Sequence, residues 1–193
     1  MLNHRNLVRL GVLVASVSAI AACSAGSTSQ PAEPGSKTGV DVSNAPGAST
    51  PAPNLERVSG DRAIETYLGM WREMASAGET SNWQSPALAS FATGDALSVI
   101  TRSLYTDNLN GVVTRGRPSN APRVSTVDLS VSPATVLVTD CGDSTNSLKY
   151  LKGSDQLLND SPGGRRSITA EVKQQADGSW RVTRFAVGGL GSC

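Results

Sequence analysis

The chain reads as an α+β protein, with N-terminal helices packed on a curved antiparallel sheet, preceded by a signal peptide and an unstructured linker. Three observations lead there. Apolar residues recur every three to four positions through the first half of the region 55–193 and every two through the second half. Asn110-Gly111 and Asp177-Gly178 mark turns between such runs. Residues 24–54 show neither period and are built from Ser, Thr, Gly, Ala and Pro.

Met1 to Arg9 carries His4, Arg5 and Arg9 and no acid, and Leu10 to Ala22 carries no charge. An apolar stretch of about a dozen residues is short of the roughly 20 that a membrane-spanning helix needs. Basic head, short apolar middle and small exit residues are the parts of a secretory signal peptide, here 1–22. Its end, Ile20-Ala21-Ala22-Cys23, resembles the lipobox of bacterial lipoprotein precursors. The resemblance implies that Cys23 is lipidated with diacylglycerol bearing palmitate-type chains and becomes the new N-terminus. Each buried acyl CH₂ contributes about 0.8 kcal/mol, so two chains anchor stably where one is marginal. The expected location is the cell membrane, lipid-anchored on its extracytoplasmic face.

The cysteines are three: Cys23, Cys141 and Cys193. With Cys23 on lipid, an even pair remains in an oxidising compartment, and a Cys141–Cys193 disulfide is expected. No metal site is expected, because the one histidine, His4, leaves with the leader and two cysteines do not make a zinc site. Arg5 and Arg9 leave too, so 15 basic and 16 acidic side chains remain, a net charge of −1. A near-neutral chain without a basic stripe is no nucleic-acid binder and adds no polybasic membrane contact.

Residues 23–54 are the lipidated cysteine and a disordered linker, whose few apolar residues cannot offset the entropy of ordering. As a coil it spans about 30 Å, which lifts the domain off the lipid surface. In the domain, Ser59 is a candidate cap for a helix with Ile64, Tyr67, Leu68, Trp71, Met74 and Ala75 on one face, ended by Gly78. Ser85-Pro86 opens a short second helix running to about Phe91. Thr93 caps a third, with Leu97, Ile100 and Leu104 on one face, closing near Asn110-Gly111.

Val112 to Thr114 is a short strand. Val127, Leu129 and Val131 alternate with polar residues in the next, and Val124 is out of phase with them, which predicts a bulge at Ser125-Thr126. Ser132 to Ala134 turns the chain into a strand from Thr135 to Cys141. Residues 142–166 read as a polar loop. Ile168, Ala170 and Val172 mark a half-buried strand, and Asp177-Gly178 turns it into a partner holding Trp180, Val182, Phe185 and Val187, again with a phase slip.

This order of elements resembles the NTF2-like (SnoaL-like, cystatin-like) cone. Asp140-Cys141-Gly142-Asp143, Tyr150, Asp177-Gly178-Ser179-Trp180 and a terminal Cys193 together resemble small secreted lipoproteins of actinobacteria. The resemblance covers about residues 61–193 and implies a curved sheet wrapped by helices around a cavity, in most members without an established activity.

NTF2-like enzymes use Asp–His or Tyr/Asp pairs inside the cone, and the mature chain has no histidine. Asp128 interrupts an apolar strand: on the inner face burial would make it an acid or base, whereas the period places it on the wet face. Tyr67 and Trp71, one helical turn apart, could line a pocket with Tyr105, Asp128 and Tyr150, or serve as core. Asp140 and Asp143 flank Cys141 but are too few for calcium, and Asp143 suits a turn cap. Gly163 to Arg166 reads as a solvated basic loop that could also touch an anionic wall polymer. No P-loop, nucleophile elbow or dinucleotide pattern is present. The expectation is a non-catalytic, membrane-tethered binding or accessory domain without cofactor, whose partner is a small apolar ligand or an envelope protein. The alternatives are a SnoaL-like cyclase or isomerase using a buried Asp or Tyr, and a structural subunit of an envelope assembly.

Overall fold

The structure, a computed structural model, describes residues 54–158 and 163–193. The signal peptide, Cys23 and the linker up to residue 53 lie outside the described residues.

Helix α1 (Leu55–Gly78) begins a turn earlier than Ser59 suggested, because the Asn54 side chain accepts a hydrogen bond from the Arg57 N–H at 3.1 Å. Its buried stripe is Gly60, Ala63, Tyr67, Met70, Trp71 and Ala75. Leu68, expected on that stripe, is 36% exposed, since Gly60 and Ala63 rotate the stripe away from it. Gly69 matters for close approach: a Cβ there would lie 2.4 Å from the Phe91 ring. That ring ends α2 (Leu88–Phe91), a single turn that starts two residues beyond Pro86. Helix α3 (Gly94–Leu109) follows Thr93 as expected, although the Thr93 side chain makes no capping bond. It buries Ala96, Ile100, Leu104 and, at the next position of the same stripe, Asp107.

Four strands form an antiparallel sheet in the order β2 (Arg123–Asp128), β3 (Thr135–Asp143), β5 (Arg165–Gln174) and β6 (Trp180–Val187). Both predicted phase slips are present. The β2–β3 register shifts at Ser125, and β6 carries Thr183 as an extra residue between Val182, opposite Val172, and Arg184, opposite Glu171. Bulges bend a strand and increase its twist. Two expectations are corrected. Leu129 and Val131 lie beyond the end of β2 and are exposed, because the Asp128 carboxylate accepts from the Ser130 N–H and hydroxyl and turns the chain first. Residues 142–166 are not a plain loop: β4 (Leu148–Leu151) pairs with β1 (Val112–Arg115), and Arg165 already begins β5.

The helices cover one face of the sheet. The core joins Val136, Val138, Val172 and Val182 to Ala63, Tyr67, Met70, Leu88, Ile100 and Leu104. At about 25 cal/mol per Å² of apolar surface, one such valine or leucine contributes about 1.5–3 kcal/mol. Among the described residues, no helix is long and apolar enough to cross a membrane.

Candidate functional site

Strand alternation assigns the inner face of the sheet in pairs: Val136 with Val172, Val138 with Ala170, Asp140 with Ile168, and Gly142 with Arg166. The face is therefore apolar at one end and polar at the other. Two polar features stand there.

The first is a buried latch. The Tyr67 hydroxyl donates to Asp140 Oδ2 at 2.9 Å, Asn120 Nδ2 donates to the same oxygen at 2.6 Å, and the Ala121 N–H donates to Oδ1 at 2.8 Å. Tyr67 is fully buried and Asp140 nearly so. Burial, then the charge and hydrogen bond of Asp140, push the Tyr67 hydroxyl well above the usual tyrosine range. The latch ties α1, β3 and the β1–β2 connection to one carboxylate. All its partners are internal, so its geometry is that of a structural cross-link. Sequence reasoning placed Asp140 only beside Cys141; the signal it missed is that 136, 138 and 140 alternate with an acid in the third inward position.

The second is a cleft of about 380 Å³. Trp71, Met74 and Ala75 form one wall from α1, and Ile100, Ser103, Leu104 and Asp107 a second from α3. Thr114 and Lys149, register partners across β1 and β4, close a third side together with Ser144, Ser147 and Arg166. Lys149 Nζ lies 2.6 Å from Asp107 Oδ1, with the Asp107 side chain 12% exposed. Losing the lysine would leave a buried, uncompensated carboxylate. Arg166 donates one bond to the Gly188 carbonyl at 3.3 Å and otherwise faces the cleft region. Ser103 and Ser147 bring hydroxyls to the cleft lining, while the buried Trp71 indole N–H is turned toward the Tyr67 hydroxyl. Apolar walls, a few placed polar groups and a volume between about 300 and 1,000 Å³ are general features of clefts that take small molecules.

Of the five sequence-chosen pocket residues, the cleft includes Trp71 alone. Tyr67 packs edge-on against Trp71 at 6.2 Å, one layer deeper. Tyr105 is 44% exposed and stacks edge-on with Trp83 at 5.4 Å, because position 105 lies about 100° around α3 from Leu104. Asp128 is on the outer face opposite Thr135, its carboxyl drawn below the usual range by the Ser130 hydroxyl and N–H. Tyr150 follows Lys149 on β4 and so points away from the cleft, its ring beneath the Arg115 guanidinium at 4.6 Å. The residues that reasoning missed are Asp107 and Lys149, while Arg166 was noticed only as part of a basic loop and stands instead at an inward position of β5. Asp107 had a signal, an acid in line with Ile100 and Leu104 at helical spacing; Lys149 and Arg166 fell in the stretch read as loop.

Cys141 and Cys193 form a disulfide, with Cα atoms 5.9 Å apart. Asp143 accepts from the Thr145 N–H and hydroxyl, the turn-cap role expected of it. Among the described residues, no three His, Cys, Asp or Glu side chains are placed to hold a metal ion.

No protein-family model and no curated protein matches the sequence. Solved structures similar in outline include the intermembrane-space region of the chloroplast protein ARC6, at 14% identity and a TM-score of 0.46, over 71% of this chain and 99% of that one. Another is a ketosteroid isomerase-like protein from Erwinia carotovora atroseptica, at 14% identity and a TM-score of 0.39, over 69% and 95%.

Proposed function

We propose that this chain is an extracytoplasmic lipoprotein, anchored through Cys23, whose NTF2-like domain binds a small envelope molecule without transforming it. The observation that carries the binding reading is the cleft: about 380 Å³, apolar on its helical walls and furnished with an ion pair, serine hydroxyls and an arginine. The order of elements supports the NTF2-like reading: three helices, then strands bent by two bulges, with α1 laid across the inner face of the sheet. The lipobox supports the anchor, and the Cys141–Cys193 bridge fits an oxidising compartment.

The cleft lies along the C-terminal part of α1, away from Leu55. Trp71 and Gly78 are 16 and 23 residues along α1 from Leu55, about 24 and 35 Å at 1.5 Å per residue.

A second reading has one observation in its favour. A tyrosine bonded to a buried carboxylate is the pair a cyclase or isomerase of this architecture would use. Against it, Asp140 has three internal donors and neither Tyr67 nor Asp140 lines the cleft. The assembly-subunit reading would call for an apolar outer sheet face, and that face offers Leu137 among threonines and the charged Glu171, Lys173 and Arg184.

Native mass spectrometry of the chain purified from its own host tests the binding reading. A bound mass that is lost in Ser103→Trp, which fills the cleft from its rim, supports it; a wild-type chain with only its apo mass overturns it. For the anchor, Cys23→Ala should move the protein out of the membrane fraction, and an unchanged membrane fraction refutes lipidation.

A further inference from the structure

The polar groups of the cleft are not balanced. Among the described residues Asp107 is its one acid, and Lys149 already neutralises it at 2.6 Å. Arg166 then stands as a second cation on the same cleft, placed by strand alternation at an inward position where Ile168, Ala170 and Val172 follow as core. One of its N–H groups is spent on the Gly188 carbonyl; that carbonyl carries no charge to cancel the guanidinium. The hydroxyls of Ser103 and Ser147, both able to donate, add to the same side. The walls formed by Trp71, Met74, Ile100 and Leu104 offer nothing to a polar body.

From this arrangement we propose that the cleft selects an amphipathic molecule with an anionic head, a carboxylate or its equivalent, on a medium-length alkyl or two-ring body. The head lies at Arg166 and Lys149, and the body against Trp71, Met74, Ile100 and Leu104. A planar guanidinium suits a carboxylate because two of its N–H groups bond both oxygens at once. The size follows from the volume, since a cavity of about 150 Å³ suffices for a benzene ring and this one holds about 380 Å³. Asp107 has a defined part. It holds Lys149 in place, and its own charge keeps the site from binding any anion that brings no apolar body to the walls. This inference deepens the binding reading above and rests on it.

The test uses the full chain carrying Cys23→Ser, so that no covalent lipid competes, titrated calorimetrically with decanoate, decanol and decyltrimethylammonium below their micelle concentrations. Decanoate should bind about tenfold or more tighter than decanol, the size of one charge-assisted bond, and the ammonium weakest. Arg166→Met should erase the preference of decanoate over decanol. Asp107→Asn, which removes the negative charge while keeping the shape, should raise that preference. Equal affinity for decanoate and decanol, tighter binding of the ammonium, or a lowered preference in Asp107→Asn overturns the anionic head and leaves the cleft as a general apolar site. If none of the three probes binds, or Ser103→Trp leaves decanoate binding unchanged, the cleft reading itself fails as well. Because Arg166 is only half-buried and Asp107→Asn is nearly isosteric, circular dichroism of each variant separates lost binding from lost folding.

Discussion

Removing the Asp140 carboxylate tests whether the Tyr67–Asp140–Asn120 latch is structural. In Asp140→Ala, three donors at 2.9, 2.6 and 2.8 Å lose their acceptor, and the Tyr67 hydroxyl is left fully buried. A hydrogen bond to a charged group contributes about 1.5–3 kcal/mol, and a stranded buried donor costs about 1–3 kcal/mol. The three bonds share one acceptor and do not add, and deleting the acid also relieves its own desolvation. The net expectation is a loss of about 4 kcal/mol. Tyr67→Phe removes one donor and leaves the carboxylate two, so its loss should be about 1.5 kcal/mol. The double variant should lose about 1–2 kcal/mol less than the sum, since the Tyr67 hydroxyl has nothing left to miss. Urea unfolding followed by far-UV circular dichroism reads all three. With a slope of about 2 kcal/mol per molar, Asp140→Ala should move the midpoint by about 2 M. A loss below about 1 kcal/mol for Asp140→Ala, or additive losses, would refute the latch as a structural cross-link.

Further outcomes follow from single features. Tyr67 has a folded-state pKa above its unfolded value, so the folded chain keeps a proton that the unfolded chain gives up above about pH 10, and stability should fall as pH rises past that point. The check is the 295 nm titration, in which one tyrosine should ionise only on unfolding and that late step should vanish in Tyr67→Phe. Glu171 goes the other way: burial raises its pKa, but the Thr183 hydroxyl and then Lys173 and Arg184 bring it below the ordinary glutamate value. Its stabilisation is present above the unfolded value of about pH 4.3 and lost as pH falls through the folded one, so the advantage of wild type over Glu171→Gln in urea should shrink between pH 7 and pH 3. Cys193→Ser opens a loop with a sequence separation of 52 and should lower stability by roughly 4 kcal/mol in the loop-entropy model, read as a drop in Tm absent under reducing conditions. Gly116 has φ +83° and an added Cβ would fall 1.8 Å from the Asn146 carbonyl oxygen, beside the cleft loop. Gly116→Ala should therefore cost about 3 kcal/mol from conformation and crowding together, and wild-type stability in that variant would show that the two loops do not meet.

The helices and long strands were legible because each shows a period over several turns. Val136 and Val138, Ala170 and Val172, and Ala96, Ile100 and Leu104 give the direction of burial unaided, and Val124 against Val127 reveals the bulge at Ser125. What failed was short or local. β4 has four residues with Leu148 and Tyr150 on one face and Lys149 and Leu151 on the other, so neither face is apolar enough to announce a strand. Leu129 and Val131 continue the β2 period, yet the chain has already turned at the Asp128 carboxylate. Of the site, the aromatic residues drew notice because they are large, while the decisive ones were charged residues in core register. Tyr105 and Tyr150 went elsewhere for the reason periodicity supplies, each one step out of phase with an inward neighbour, the buried Leu104 on a helix and the cleft-facing, half-buried Lys149 on a strand.

That charged register gives the domain its division of labour. Along β3 and β5 the inward pairs run from Val136–Val172 and Val138–Ala170 to Asp140–Ile168 and Gly142–Arg166, while α3 runs from Ile100 through Leu104 to Asp107. All three elements change from apolar to polar toward the same end, where α1 reaches Gly78 and the cleft lies. Filling those positions with valine and leucine would extend the core, and replacing even a fully buried ion pair in this way is often neutral or stabilising; Lys149–Asp107 is only partly buried. A chain that instead holds an acid, a lysine and an arginine around a cleft of about 380 Å³ forgoes that packing, which is what the proposed binding role calls for. The latch at Asp140 then has a plain purpose: it holds the β1–β2 connection, and Pro118 on the cleft wall with it, against a sheet whose next inward residue no longer supplies a core to do so. If that is the arrangement, an Asp107→Leu, Lys149→Met double variant should be at least as stable as wild type in urea while losing the bound mass, and a large loss of stability would show that the pair is there for the fold and not for the cleft.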